Sequence, residues 1–404
     1  MVSILMPSLN QSRFLPAALD SVLHQSHREL ELIVADGGST DGTVEILQER
    51  AAQDPRLRWS SAPDTGPAAA VNKAVAMARG SVIGWLNADD LYTQDAVEAV
   101  LRCFAQEPET ALVYGHAEFI NEDGMVAGRY PTKAVQVPAE AFADGCFVCQ
   151  PTVFLRKEAW HDLGRLDESL QTSFDFDFWI RAFRKFPDRI GFIDKVQAFS
   201  RRHESTITAR ERKHVALEGI TIVRRHLGTT PAHWAFTHVE EIMASHPDAS
   251  EPNLDLRIRR FVEEARPVMF PEDYAEVSRR IAADRRLALA NSSTFVDIYP
   301  DGWAGEKLHV RCRSTASRRW ELRCRSGLPR GQRHHVAVTS TDGSKDVHAV
   351  RGGKNFHIGM MSRAGGQTVF MLESDATFVP AERGNGSDDH RHLSFEVLEL
   401  LELS

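Results

Sequence analysis

The sequence predicts an α/β protein with a Rossmann-like, mostly parallel sheet, followed by a helical segment and an antiparallel β-sandwich. Three observations predict it. Strand-like apolar runs alternate with helix-period runs up to about residue 90, helix-period segments dominate from about residue 205, and short runs of alternating apolar and polar residues follow from about residue 291. The first pattern describes a βαβ sheet, whose ligands gather at the carboxyl ends of the strands. The last describes half-buried strands paired in a sandwich. The domains read this way are 1–208, 209–290 and 291–404.

Each element has its own signal. "VSILM" at 2–6 is a short apolar strand, and the next stretch repeats at helical spacing through Leu15, Ala18, Leu19, Val22 and Leu23. "LELIVA" at 30–35 is a second strand that stops at "DGGSTDG", before the helical "TVEILQERAAQ". "LRWSSA" is the third strand; Gly66-Pro67 then opens the helix "AAAVNKAVAMA", where proline suits the first turn. "SVIGWLNA" is the fourth strand. Farther on, "HVALEGITIVRRHL", "HWAFTHVEEIMA" and "DLRIRRFVEEA" read as helices. "TFVDIYP", "KLHVRC", "RWELRC", "HHVAVTS", "NFHIGMM", "TVFMLES" and "HLSFEVLEL" read as strands, with Leu308, Val310 and Cys312 on one face of theirs.

At 404 residues the chain is long enough for two or three cored domains. Its net charge of -8 supplies no global basic field, so nucleic acid is not an expected partner, and a membrane surface would have to be met through local patches. No basic leader precedes the first strand, and no apolar run approaches the ~18 residues of a spanning helix. The expected location is therefore cytoplasmic, with the inner face of the cell membrane as the alternative. Five cysteines suit a reducing compartment. "CFVC" at 146–149 has zinc spacing, yet no second pair follows it, so buried free thiols are expected. Cys312 and Cys324 are expected as buried thiols that could be cross-strand neighbours.

The stretch "SVIGWLNADD" at 81–90 starts as a dry strand and ends with Asn87, Asp89 and Asp90 within four positions. Carboxylates crowded at a strand tip repel and lose hydration, and a divalent cation would compensate them. "IVADGGSTDGT" is a glycine-rich turn after a strand, but it lacks the dinucleotide spacing and sets Asp36 where a pyrophosphate would lie. An acid there suits hydrogen bonds from a base or ribose; a tight turn capped by Asp is the plainer reading.

Taken in order, "MPSLNQSRFLPAALDSVLHQ", "LELIVADGGSTDGT", "SAPDTGPAAAVNKAVAMARGSVIGWLNADD", "CQPTVFLRKEAW", "RLDESLQTSFDFDFWIRA" and "SRRHEST" resemble family 2 glycosyltransferases of the GT-A fold, in particular bacterial enzymes with a W-L-N-x-D-D motif. The resemblance covers roughly residues 1–208. It implies the GT-A nucleotide-diphospho-sugar transferase fold and inverting transfer from a nucleotide-diphosphate donor, a UDP-sugar by preference. The acceptor it implies is a bacterial surface glycan or a lipid-linked precursor, with Mn²⁺ or Mg²⁺ as cofactor. Ser8, Asp36 and Asp64 would contact the nucleoside, Asp89 would bind the metal, and Asn87, which replaces the family's first carboxylate, would contact ribose or coordinated water. Asp90 would stand behind the metal ligand or touch the donor sugar. His203 would approach the metal from the far side of the nucleotide, with Arg201 near the diphosphate.

Gln150 and Asp177 are assigned to the acceptor side. Gln150 is expected to bond a sugar hydroxyl, and its plainer reading is a polar residue in an ordinary strand. Similar enzymes carry a Glu-Asp pair at a helix start; Asp175 aligns with the Asp of that pair and is the expected general base, whereas Phe174 stands where the Glu is usual. Asp177 is also read as structural, holding the helix start or an Arg such as Arg181. The phenylalanines around Asp175 should desolvate it and raise its pKa.

The sandwich weakly resembles modules attached to some bacterial glycosyltransferases. Trp303 could stack on a sugar and His390 or Arg391 could bond its hydroxyls; alternatively Trp303 plugs the sandwich edge and Asp388 to Arg391 form a charge-stitched turn. A structural or oligomer-forming role is preferred over glycan binding. Peripheral membrane association and homo-oligomerisation stay open. The competing function is a nucleotide-sugar or glycan-binding protein without catalysis. A donor-synthesising nucleotidyltransferase is disfavoured, because "MPSLNQSRF" lacks a basic glycine-rich phosphate loop.

Overall fold

The computed structural model describes residues 1–134, 137–244, 254–284, 286, 294–314, 316–380 and 389–403. The chain divides into two compact units: residues 1–238 with 268–270, and residues 239–267 with 271–404.

The first unit begins with three alternations of strand and helix: β1 (Val2–Ser8), α1 (Leu15–Leu23), β2 (Leu30–Asp36), α2 (Thr43–Gln53), β3 (Leu57–Ser61) and α3 (Pro67–Met77). β4 (Val82–Trp85), β5 (Leu91–Tyr92) and α4 (Ala96–Gln106) follow. A second set comprises β6 (Leu112–Ile120), β7 (Val126–Arg129), β8 (Phe154–Arg156), α5 (Lys157–Leu163), α6 (Phe174–Lys185), β9 (Ile190–Arg201), α7 (Ile207–Arg210) and α8 (Arg212–Leu227). The sheet order is β3-β2-β1-β4-β8-β6-β9-β5, with β7 beside β6. Strands β3, β2, β1 and β4 are parallel, β8 runs antiparallel to both of its neighbours, and β9 is again parallel to β6.

Burial explains the alternation. Every residue of β1, β2 and β4 is buried, as strands covered on both faces require. The apolar stripe of α1 read from the sequence, Leu15 to Leu23, is buried against one face together with Val2, Ile4, Met6, Leu32 and Val34. On the other face Leu5, Ile33, Ile83 and Trp85 pack with α3 and α6, and Ile222 and Val223 of α8 join this core.

One pairing governs the site. The two-residue β5, just after the acidic strand tip, pairs antiparallel with the end of β9, Leu91 opposite Phe199 and Tyr92 opposite Ala198. It brings the segment after "NADD" beside the segment leading into "RRHES". Two-residue strands carry no periodicity, so this link was not legible in the sequence.

Three further helices follow: α9 (His233–Ala244), α10 (Leu254–Ala265) and α11 (Pro271–Ala283). Among the described residues no helix is long and apolar enough to cross a membrane. The second unit's sandwich comprises β10 (Thr294–Val296), β11 (Lys307–Ser314), β12 (Arg318–Ser326), β13 (Arg333–Ser340), β14 (Lys345–Arg351), β15 (Asn355–Ser362), β16 (Gly366–Ser374) and β17 (Phe395–Leu403). One sheet has the order β10-β11-β16-β13-β14 and the other β15-β12-β17. Val310, Leu372 and Val338 from the first meet Leu322, Ile358 and Val397 from the second in one core.

Two expectations are corrected here. Cys312 and Cys324 are buried free thiols, but they come from opposite sheets through β11 and β12 and are not cross-strand neighbours. β14 was not read as a strand, because as an edge strand it leaves all but Val350 at least partly exposed and alternates weakly.

Candidate active site

The strand tip divides its acids between interior and opening. Asp90 is only 3% exposed; its Oδ1 accepts the Arg201 backbone N–H at 2.8 Å and its Oδ2 accepts Asn87 Nδ2 at 3.3 Å. Burial, with the neighbouring charge of Asp89, holds its carboxyl well above the usual range. Asn87 Oδ1 in turn accepts the Trp85 indole N–H at 3.1 Å. Asp89 is the outward member. Its Oδ2 lies 3.0 Å from His203 Nε2, while His203 Nδ1 meets Ser205 Oγ at 2.7 Å, which fixes the ring.

Arg201 builds the floor of this corner. Its Nε donates to the Asp89 carbonyl at 2.8 Å and its Nη1 to the carbonyls of Asn121 and Glu122 at 2.9 and 3.1 Å. The guanidinium also lies over the Phe14 ring, 4.9 Å from its centroid, and Phe14 packs against His203 at 4.8 Å. Arg201 is buried and its donors face carbonyl oxygens, so it positions Asp89 as well as lying beside it.

Asp89 and His203 are the residues at this corner whose side chains could hold a divalent cation. A carboxylate oxygen and an imidazole nitrogen are both donor types that divalent cations accept, and here they meet at hydrogen-bond distance. Among the described residues no cluster of three or more His, Cys, Asp or Glu side chains that could hold a metal ion forms.

Asp36 is 1% exposed. Its Oδ2 accepts the N–H groups of Gly38 and Ser39 at 3.0 and 2.9 Å and the Ser61 hydroxyl at 2.5 Å, and its Oδ1 accepts the Ser39 hydroxyl. Asp36 thus holds the glycine-rich turn in shape. Asp64 is exposed, with Oδ1 accepting Gly66 N–H at 3.0 Å. A Cβ at Gly37 would come within 3.3 Å of both Asp64 carboxylate oxygens, so the loops after β2 and β3 lie side by side there. Ser8 is buried at the end of β1, and its hydroxyl has no hydrogen-bond partner among the described residues.

On the opposite side Gln150 is buried and donates Nε2 to the Trp85 carbonyl at 2.6 Å, while its Oε1 has no partner among the described residues. Its chain segment is held by Tyr130, whose hydroxyl donates to the Cys146 carbonyl at 3.0 Å. Asp175 lies in the first turn of α6, next to Phe174, which stacks on Trp85 at 5.8 Å. Asp175 Oδ1 accepts the Phe176 N–H at 2.8 Å. Burial pushes this carboxyl up to about 6.

Asp177 turns another way. It is 2% exposed, its Oδ2 accepts Arg181 Nε at 2.8 Å and its Oδ1 meets His226 Nε2 at 2.7 Å. Burial alone would raise its pKa, but the His226 hydrogen bond and the Arg181 charge outweigh that and lower it. Its carboxylate ties α6 to the end of α8 through Arg181 and His226. Two positions along a helix differ by about 200°, which is why Asp175 and Asp177 face different surroundings.

In the sandwich, Trp303 packs edge-on against Phe378 at 5.4 Å. Arg391 pairs with Asp301 and Asp389 at 2.6 and 2.7 Å and lies over Tyr299. Asp388 lies outside the described residues.

Residues 3–161 match the family described as Glycosyl transferase family 2. Over 182 residues the chain is 31% identical to a chondroitin synthase of Escherichia coli; the match takes 45% of this chain but spans only 26% of the synthase. Over 185 residues it is 30% identical to a PGL/p-HBAD biosynthesis glycosyltransferase of Mycobacterium bovis, taking 45% of this chain and 70% of that protein. The crystal structure of S. aureus TarS 1-349 in complex with UDP-GlcNAc is similar in fold, with a TM-score of 0.50 at 15% identity over 71% of this chain and 92% of that one. The expected GT-A architecture, with antiparallel sheets in the carboxyl-terminal half, is thus present.

Proposed function

Because the chain belongs to glycosyl transferase family 2, we propose that it transfers a sugar, with inversion, from a nucleotide-diphosphate donor to a surface glycan or its lipid-linked precursor. A UDP-sugar is the favoured donor. The observation that carries the reading is the convergence of Asp89 and His203 at 3.0 Å on the open end of a buried strand.

The roles follow from chemistry. Asp89 and His203 would hold Mn²⁺ or Mg²⁺, which when bound neutralises the leaving diphosphate. Ser8 and Asp64 would line the nucleoside pocket, and Asp36 would keep the turn beside them in shape. Asn87, tied to Trp85 and Asp90, is proposed to face ribose. Gln150 Oε1, a buried acceptor without a partner among the described residues, is suited to an acceptor hydroxyl. Asp175 then takes that hydroxyl's proton while the oxygen bonds the anomeric carbon and the bond to the diphosphate oxygen breaks. Attack opposite the leaving group inverts the anomeric centre. A carboxylate with a pKa near 6 is a stronger base than an ordinary one and is still largely ionised at neutral pH.

A screen of UDP- and GDP-sugars for Mn²⁺-dependent thermal stabilisation tests the donor reading. Stabilisation by one nucleotide class that disappears with chelator supports it. No stabilisation by any nucleotide sugar, with or without Mn²⁺, counts against it.

A further inference from the structure

The helix carrying Asp175 starts without a cap of its own. Ser173 occupies the cap position and makes no side-chain hydrogen bond to the first turn. The loop entering it is held from α8: Glu218 Oε1 accepts Gln171 N–H at 2.7 Å, and Oε2 accepts Thr172 N–H at 2.9 Å, Ser173 N–H at 2.9 Å and the Thr172 hydroxyl at 2.7 Å. Three successive backbone N–H groups thus converge on one carboxylate brought from 45 to 47 residues away. Negative charge at a helix amino terminus is favourable, and orphan N–H groups there need acceptors.

Glu218 is itself held in place. A Cβ on the next residue, Gly219, would come within 2.4 Å of the Trp234 ring. That ring packs on Phe176 at 5.4 Å and donates its indole N–H to the Ala143 carbonyl at 2.7 Å. Glycine at 219 therefore lets Trp234 seat α8 against the start of α6, with Glu218 aimed at the loop entering it.

We propose that Glu218 is a positioning residue for the base, fixing the loop and first turn from which Asp175 projects and setting the field in which it titrates. The proposal rests on the reading of Asp175 as general base. Among the described residues, groups that act electrostatically with Asp175 include Glu218 on α8, Tyr130 after β7, and Cys146 and Cys149 on the acceptor-side loop. Burial holds the phenol and both thiols above their ordinary values, so they are uncharged near pH 6. Glu218 is the carboxylate among them, and its charge pushes the Asp175 pKa upward, in the same direction as burial.

The test titrates the Asp175 carboxyl by ¹³C NMR in the full chain labelled with [¹³Cγ]aspartate, with Asp175→Asn assigning the resonance. Glu218→Gln removes the like charge, and the midpoint should fall by on the order of half a pH unit, about threefold in proton affinity. The acidic limb of turnover with the donor found in the thermal screen should move the same way. Glu218→Asp keeps the charge but withdraws the acceptor; its turnover should fall while the limb stays. A folded Glu218→Gln with an unmoved midpoint overturns the proposal. If that variant does not fold, wild-type turnover in Glu218→Asp overturns it. The base reading fails separately, if Asp175→Asn turns over normally, because the NMR midpoint reports the coupling in either case.

Discussion

Asp89 and His203, 114 residues apart, face each other with Oδ2 and Nε2 at 3.0 Å. The strand pair β5–β9 sets their backbones side by side, and Arg201 clamps the Asp89 carbonyl from the same strand end. Neither residue is placed by local sequence alone.

Asp89→Asn removes a charge with little change in volume and should abolish Mn²⁺-dependent nucleotide binding while the protein stays folded. His203→Ala should weaken that binding more modestly, since the carboxylate remains. Calorimetry with and without Mn²⁺ checks both, and undiminished cation-dependent affinity in Asp89→Asn would remove it from the metal site.

Asp175→Asn should lower transfer by a factor on the order of 10² to 10⁴, the typical worth of a positioned base, with donor affinity nearly unchanged. In the wild type, transfer should rise with pH through about 6, where the base ionises. Stability runs the other way. The folded carboxyl keeps its proton between the ordinary value of 3.8 and about 6, where the unfolded chain releases it, so this group's contribution is full below that window and lost above it. At pH 8 Asp175→Asn should be at least as stable as the wild type, by up to about 3 kcal/mol. Urea unfolding at pH 5 and 8 measures the difference.

Asp177→Asn should behave in the opposite sense. It leaves Arg181 and His226 without their carboxylate, which should cost about 1–3 kcal/mol of stability while nucleotide binding is retained. Because its pKa is lowered in the fold, the wild-type contribution is present above the ordinary carboxylate range and lost as pH falls below it. Loss of transfer without loss of stability would return Asp177 to the acceptor side.

What could be read in advance follows from the range of the forces involved. The strands Val2–Ser8, Leu30–Asp36 and Val82–Trp85 and the helices around them announce themselves by apolar pattern, and the cluster of Asn87, Asp89 and Asp90 by its place at a strand tip. The pairing of Leu91 with Phe199 and the clasp of Glu218 on residues 171–173 depend on contacts between distant segments that carry no local period. Glu218 sits in a stretch read from its helical period as the start of a helical extension, yet its helix contributes Ile222 and Val223 to the core shared with α6. Asp36 was expected to face the nucleoside because an acid ends the strand; only the fold reveals how many of its acceptor positions the turn consumes.

The last prediction concerns the sandwich. A Cβ at Gly327 would lie 2.1 Å from Phe378 Cε1 and 2.6 Å from Trp303 Cζ3, distances no side chain tolerates without movement. The Trp303–Phe378 pair crosses edge to face at 80°, and the Gly327 N–H donates to the Ser394 carbonyl at 3.0 Å. Backbone and rings are therefore fixed against each other, and the smallest overpacking should cost about 1–3 kcal/mol. Gly327→Ala should lower the unfolding midpoint of the full chain, and Trp303→Ala should do so too, by removing the indole that packs against Phe378. This outcome makes Trp303 a plug of the sandwich edge, in keeping with its intermediate burial. If Trp303→Ala instead unfolds like the wild type but no longer co-sediments with an insoluble bacterial cell-wall polysaccharide that the wild type binds, the indole is a sugar platform and the structural reading is wrong.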